Sequence, residues 1–206
     1  MKKTVSLLLV LIIVFSTTAS VFCTDTNNST DLLGYTYTEY ITIDSIEYRY
    51  DYEYSDSFRK TTISCEDVVI AVIENNTSKG CIKLNGEIIS QTQSNRQMVP
   101  DPPIPGNDTS WIYLNYYSDS VTWPKNTLAS VFAGLLANIA RIYSSQVIAC
   151  LGSIIQTMAK NGGSASVACY SYWNGVNANP IIYKYHWHAN INGSSYGWYD
   201  SYISVC

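Results

Sequence analysis

The stretch from Thr127 to Ala159, TLASVFAGLLANIARIYSSQVIACLGSIIQTMA, carries one charge, Arg141. A run this apolar cannot face water along its length, so the rest of the chain must cover it. Ala, Leu, Ile and Met dominate, with no proline and two glycines, which suits a helix. Asn126 or Thr127 can cap its start behind Pro124, and Lys160 with Asn161-Gly162-Gly163 supplies a stop with a cation in the last turn. As one helix it would reach about 50 Å. Tyr143-Ser144-Ser145-Gln146 is its most polar point and the natural place for a break into a hairpin.

Small residues recur at every fourth position, Ala129, Ala133 and Ala137, with Arg141 next and Ser130 and Gly134 beside them. Such a smooth face admits another backbone closely, as in membrane helix pairs. Two readings stay open. In one, the segment is a membrane-inserting hairpin with Ala133, Gly134, Ala137 and Arg141 on its contact face. In the other it is a helix, or helix pair, buried against sheet. Leu128 to Ala140 is too short for a bilayer span, and lengthening it carries Arg141 into the hydrocarbon.

At the amino end, Met1-Lys2-Lys3 followed by apolar Val5 to Phe15 and small residues to Cys23 reads as a secretory signal peptide of bacterial compactness, residues 1–23. Cleavage after Ala19 or Cys23 leaves one domain's worth of chain. Phe22 is too bulky to precede a lipidated cysteine. Without Lys2 and Lys3 the net charge falls from −4 to −6. All acids but Asp200 lie before residue 121. That balance excludes nucleic acid as a partner, since phosphate binding needs clustered Lys and Arg. The expected partner is a membrane or a cell-surface component, and the expected location is extracellular.

Residues 24–33 are polar and read as a flexible start. Strands are expected from Gly34. In Ile46 to Tyr54, Ile46 and four tyrosines alternate with Glu47, Arg49, Asp51 and Glu53, the period of a half-exposed strand. That tyrosine row is either a binding surface or a sheet face under the helix. Thr61 to Ile73 reads as one strand region, and Cys81 to Gln91 as a hairpin about Asn85-Gly86. Residues 98–108, MVPDPPIPGND, hold four of the six prolines and form a semi-rigid loop. Trp111 to Tyr117, Ala165 to Trp173, Ile181 to Ile191 and Tyr196 to Val205 are further strands. The sequons at Asn27, Asn28, Asn75, Asn76, Asn107 and Asn192 are read as turn chemistry.

Chemistry has few footholds. His186-Trp187-His188 holds both histidines. In a strand both imidazoles point to one side about 7 Å apart, so they are the metal candidates, with Asp200 the nearest acid in sequence. No G-x-S-x-G elbow, Walker loop or dinucleotide glycine pattern occurs, and no cofactor is implied. Trp173, Trp187 and Trp198 are candidates for a membrane interface or a sugar platform. Export permits disulfides; the local pairings Cys65 with Cys81 and Cys150 with Cys169 are favoured, with Cys169 to Cys206 a rival.

The helical AGLLANIARI (Ala133 to Ile142) and the GGSASVACYSYW that follows (Gly162 to Trp173) give the chain a layout that resembles small secreted proteins of Gram-positive bacteria, some of them large unmodified bacteriocins. The resemblance covers architecture and carries no functional residues across. The chain is therefore expected to be an α+β protein, with antiparallel strands flanking a central apolar helix or helical hairpin over 127–160 in one domain, 34–206. Its expected role is non-enzymatic: membrane-active, or a binding module for a cell-surface glycan or protein, with a metal-dependent hydrolase at His186 and His188 the remote alternative.

Overall fold

A computed structural model describes residues 34–55, 57–91, 111–175, 178 and 180–205. The expected signal segment 1–23, the flexible start 24–33 and the proline-rich loop 98–108 lie outside the described residues, as do Cys23, Cys206 and the sequons at Asn27, Asn28 and Asn107. The first part of the chain is a meander of six strands: β1 (Tyr35–Ile43), β2 (Ile46–Ser55), β3 (Phe58–Cys65), β4 (Val68–Asn76), β5 (Cys81–Leu84) and β6 (Glu87–Gln91). Each pairs antiparallel with its neighbours in sequence. A second sheet runs in the order β10 (Ser194–Val205), β9 (Ile181–Ile191), β8 (Gly163–Trp173), β7 (Ile112–Trp123). Between β7 and β8 come three short helices, α1 (Ala129–Ala140), α2 (Ser144–Leu151) and α3 (Ile154–Asn161).

This corrects the α+β expectation of a central helix or hairpin flanked by strands. Of the described residues 61% are strand and 19% helix, so the fold is two antiparallel sheets with three short helices between β7 and β8. The long helix fails at two points. Arg141 takes a left-handed conformation (φ 61°, ψ 34°) and ends α1, and α2 leaves at 107° to it. Gly152, at φ 49° and ψ −130°, ends α2 in a conformation that only glycine takes readily. No single described helix is long and apolar enough to cross a membrane; α1 and α2 together have the length and composition, but only as that sharply bent pair.

Hairpin chemistry sets the strand registers. Asp44-Ser45, Glu66-Asp67, Asn85-Gly86 and Asn192-Gly193 all place positive φ on both central residues. That is the mark of the two-residue turn whose twist matches the flanking strands. The Glu66-Asp67 turn cuts the expected Thr61 to Ile73 strand into β3 and β4. In β2 the alternation sends Tyr48, Tyr50, Tyr52 and Tyr54 inward, all under a tenth exposed, and Glu47, Arg49 and Glu53 to solvent.

Apart from Ala129, every residue of α1 is buried, with the β3 and β4 face on one side and β7 and β8 on another. Gly134 permits the approach: a Cβ there would lie 2.7 Å from Ile63 Cδ1 and 3.0 Å from Ile73 Cδ1. Phe132 packs on Trp123, ring centroids 4.4 Å apart, and the Tyr50 hydroxyl donates to Ser130 O at 3.1 Å. Ala133, Gly134 and Ala137 thus face protein on all sides.

The described cysteines, Cys65, Cys81, Cys150 and Cys169, are free thiols, which corrects the local pairings Cys65 with Cys81 and Cys150 with Cys169; the rival pairing of Cys169 involves Cys206, outside the described residues. Cys81 pairs with Asn76, which faces Phe58 at one end of β3, while Cys65 sits at the other end. The separation is about 23 Å at the strand rise, against the roughly 7 Å limit for a bridge. Cys169 is buried in β8, and burial pushes its thiol up to about 12, which keeps it protonated and unreactive.

A polar knot ties β1 and β2 to the start of α2. The Tyr52 hydroxyl donates to Glu39 Oε1 at 2.5 Å and lies 2.8 Å from Ser144 Oγ. The amide of Ser144 donates to Tyr52 Oη at 2.9 Å, and that of Ser145 to Glu39 Oε1 at 3.3 Å. α2 lacks a side-chain cap of its own, so Tyr52 and Glu39, from other elements, take up its first two amides.

Two outcomes follow from this packing. Phe132→Ala should lower the unfolding free energy by about 3–5 kcal/mol in urea melts. Burial raises the Glu39 carboxyl above its ordinary 4.5 despite the hydrogen bonds it accepts. Its folded value then exceeds its unfolded one, so its contribution is full below about 4.5 and lost as pH rises through the folded value. Glu39→Gln keeps the acceptor oxygen and removes the titration, so thermal melts across that window should show a flatter fall of stability with pH than wild type.

Candidate functional site

The β9–β10 hairpin separates two kinds of side chain by alternation. Trp187, Ala189 and Ile191 point into the core and are fully buried; the Trp187 indole N–H donates to Ser201 Oγ at 3.0 Å. Lys184, His186 and His188 point to the opposite face. Across from them β10 is irregular. Gly197 pairs with His188 and Tyr199 with Trp187, leaving Trp198 as an extra residue between. A bulge of this kind re-aims a side chain. Gly197, at φ 108°, holds a conformation that a side chain strains, and a Cβ there would sit tightly, 3.1 Å from Trp187 O.

The re-aimed Trp198 ring lies on the outer face against both imidazoles. Its centroid is 4.8 Å from His186 in a near-parallel stack (6°) and 5.2 Å from His188. It also meets Tyr170 at 5.8 Å, and Tyr170 meets Tyr116 at 4.9 Å. A row of rings therefore crosses the sheet from β10 to β7. Trp198 itself is 50% exposed. Farther along β10, Tyr202, 49% exposed, packs on Trp111 at 5.9 Å.

Hydrogen-bonding groups surround the row. Asp200 bridges His186 Nδ1 at 2.8 Å and Lys184 Nζ at 3.2 Å. Ser195 Oγ lies 2.7 Å from His188 Nε2. These pairs do not form a nucleophile–base–acid relay, because the serine and the aspartate hold different imidazoles with Trp198 against both. The metal reading fares no better. His186 and His188 do share a face as expected, but one nitrogen of each ring is turned to Asp200 or Ser195, and no group of three or more metal-ligating side chains gathers among the described residues.

The other candidates from the sequence are dispersed. Ala133, Gly134 and Ala137 are core residues of α1, Trp187 is core in β9, and Trp173 ends β8 with its indole nitrogen buried and without a hydrogen-bond partner. Arg141 lies at the end of α1, its guanidinium 3.4 Å above the Tyr117 ring. Only His186, His188 and Trp198 come together. Tyr116, Tyr170 and Ser195 complete the site and were not anticipated from sequence. The signal available for the tyrosines was the alternation of β7 and β8, which places Tyr116 opposite Tyr170.

No family model, curated protein or solved structure matches the chain, so the site is read from its own geometry.

The two tryptophans of this hairpin should separate cleanly in stability. Trp187→Ala, at a fully buried position, should cost about 3–5 kcal/mol in urea melts. Trp198→Ala, at a half-exposed one, should cost about 1 kcal/mol or less, close to the surface-substitution range.

Proposed function

We propose that this protein is an exported, non-enzymatic binding module that takes up cell-surface carbohydrate on the outer face of the β7–β10 sheet. The observation that carries the reading is the half-exposed Trp198, held in a stack of rings and rimmed by charged and hydroxyl groups. A sugar ring has an apolar C–H face and an edge of hydroxyls. The indole supplies a flat apolar counterpart. Asp200, His186, Ser195 and Lys184 supply acceptors and donors at its margin, the combination that orients a ligand on an apolar floor. The platform is set before binding, since Trp198 already packs on His186, His188 and Tyr170, so little side-chain freedom is lost on contact.

A membrane-active role has one observation in its favour, the combined length and composition of α1 and α2. It requires α1 to leave the protein core, where all its residues but Ala129 are buried. The aromatic face needs no rearrangement, and for that reason it is the preferred reading. Mixing the protein with anionic vesicles separates the two: a blue shift of tryptophan emission with leakage of contents would favour membrane insertion.

Wild-type protein should co-sediment with purified cell walls, or bind one or more polysaccharides in a glycan screen. Trp198→Ala should weaken that binding at least tenfold, about 1.4 kcal/mol, with the melting temperature nearly unchanged. A screen with no glycan bound, or a Trp198→Ala variant that binds as wild type does, would remove the proposal.

A further inference from the structure

The outer face of β10 carries a second ring as open as Trp198. Ser201 and Ile203 are buried, so alternation turns Asp200 and Tyr202 outward beside His186 and Lys184. Tyr202 is 49% exposed, against 50% for Trp198. The Trp198 ring lies between the two imidazoles, 4.8 Å from one and 5.2 Å from the other. Tyr202 is paired with Lys184. The two rings are therefore about 10 Å apart along the strand.

The second ring is held as firmly as the first. Trp111 packs on Tyr202 with centroids 5.9 Å apart, and the Lys184 ammonium lies 5.9 Å from the Trp111 centroid, within reach of a cation–π contact. The Gln146 amide on α2 donates to Tyr202 O at 2.7 Å and pins the strand beneath. Asp200 joins the two sites. One of its oxygens meets His186, which stacks on Trp198, and the other meets Lys184 at 3.2 Å. The formal charges between the rings cancel, and among the described residues the outward positions of β7 and β8 carry none. The carboxylate is the more open partner, its side chain 40% exposed against 17% for Lys184. A molecule lying between the rings therefore meets carboxylate oxygens, which accept from hydroxyls and repel another anion.

We propose that the outer face of β10 is an extended subsite for a neutral β-1,4-linked oligosaccharide lying along the strand. One sugar sits on Trp198, another on the Tyr202–Trp111 pair, and the sugar between them covers Asp200. The inference rests on the carbohydrate reading of this face and adds the length, linkage and charge of the chain. Length follows from the gap, which a single sugar does not bridge. Linkage follows from the straight line of the two rings on one strand: β-1,4-linked sugars form a straight, flat ribbon with apolar C–H faces for both indole and phenol, whereas α-1,4-linked chains coil away from a flat sheet. Charge follows from Asp200. A chain held on the first ring presents its next sugars to the second at high effective concentration, so affinity should grow with length.

The test is calorimetry on the purified full chain with cellobiose and cellohexaose, with chitobiose and chitohexaose, and with hexagalacturonate, which is acidic and α-linked. The better neutral hexamer should bind roughly tenfold or more tighter than its own dimer, and hexagalacturonate at least roughly tenfold weaker than that hexamer. Tyr202→Ala, at a half-exposed position, should leave the melting temperature nearly unchanged and bring the hexamer's affinity down to that of the dimer. A neutral hexamer that binds no tighter than its dimer, hexagalacturonate binding as well as the neutral chains, or length dependence that survives Tyr202→Ala would overturn the inference. If neither neutral hexamer binds while cell walls still bind through Trp198, this inference falls and the carbohydrate reading stands. If no saccharide and no cell wall binds, both fall.

Discussion

α1 is apolar around its whole circumference, and the rest of the molecule is arranged to keep water from it. A helix of that kind has no solvent face to offer, so it needs cover from several directions. The β3 and β4 face supplies one cover and β7 and β8 another. Gly134 lets the helix sink onto Ile63 and Ile73. The tyrosines of β2 then extend the same covered surface, but each brings a hydroxyl that must be satisfied indoors. Tyr50 finds Ser130 O. Tyr52 finds Glu39, and between them they hold the first two amides of α2. The apolar packing of one helix thereby fixes where the next one begins.

The same logic explains which parts of the fold were legible in the sequence. Period-two alternation read β2 correctly, because charge on one face and tyrosine on the other leave a strand only one way to lie. Asn85-Gly86 and Asn192-Gly193 announced their turns through residues that accept positive φ. Glu66-Asp67 makes the same turn without that chemistry and was invisible, so two strands looked like one. A break was expected at Tyr143 to Gln146; it falls at Arg141, two residues earlier, and the second break at Gly152 was not read at all. Nothing local in Ile139 to Tyr143 forbids helix; the break comes from Arg141, which tertiary contacts with Tyr117 hold in a left-handed conformation. Helix propensity is a local quantity and carries no information about a partner twenty-four residues upstream.

The site was legible in part. Two histidines two apart on a strand must share a face, and they do. What brought Trp198 and Asp200 to them is the bulge. Counting from the Asn192-Gly193 turn without it would place Asp200 opposite Tyr185, on the core side. The extra residue shifts the register by one, so Asp200 faces His186 and Trp198 is released outward. A single inserted position converts two unremarkable imidazoles into the floor of a platform, and no sequence signature marks it apart from Gly197. The disulfide expectation failed in a related way: closeness of Cys65 and Cys81 in sequence says nothing about a meander that carries them to opposite ends of two strands with β4 between them.

β10 is also the outermost strand of its sheet. Regular outer strands present a row of open amides and carbonyls to any passing chain and invite end-on growth of the sheet. The irregularity at Gly197 and Trp198 interrupts that row near the middle of the strand. The residue that equips the face for a ligand thus also blunts the edge, so the molecule presents a broken template to copies of itself.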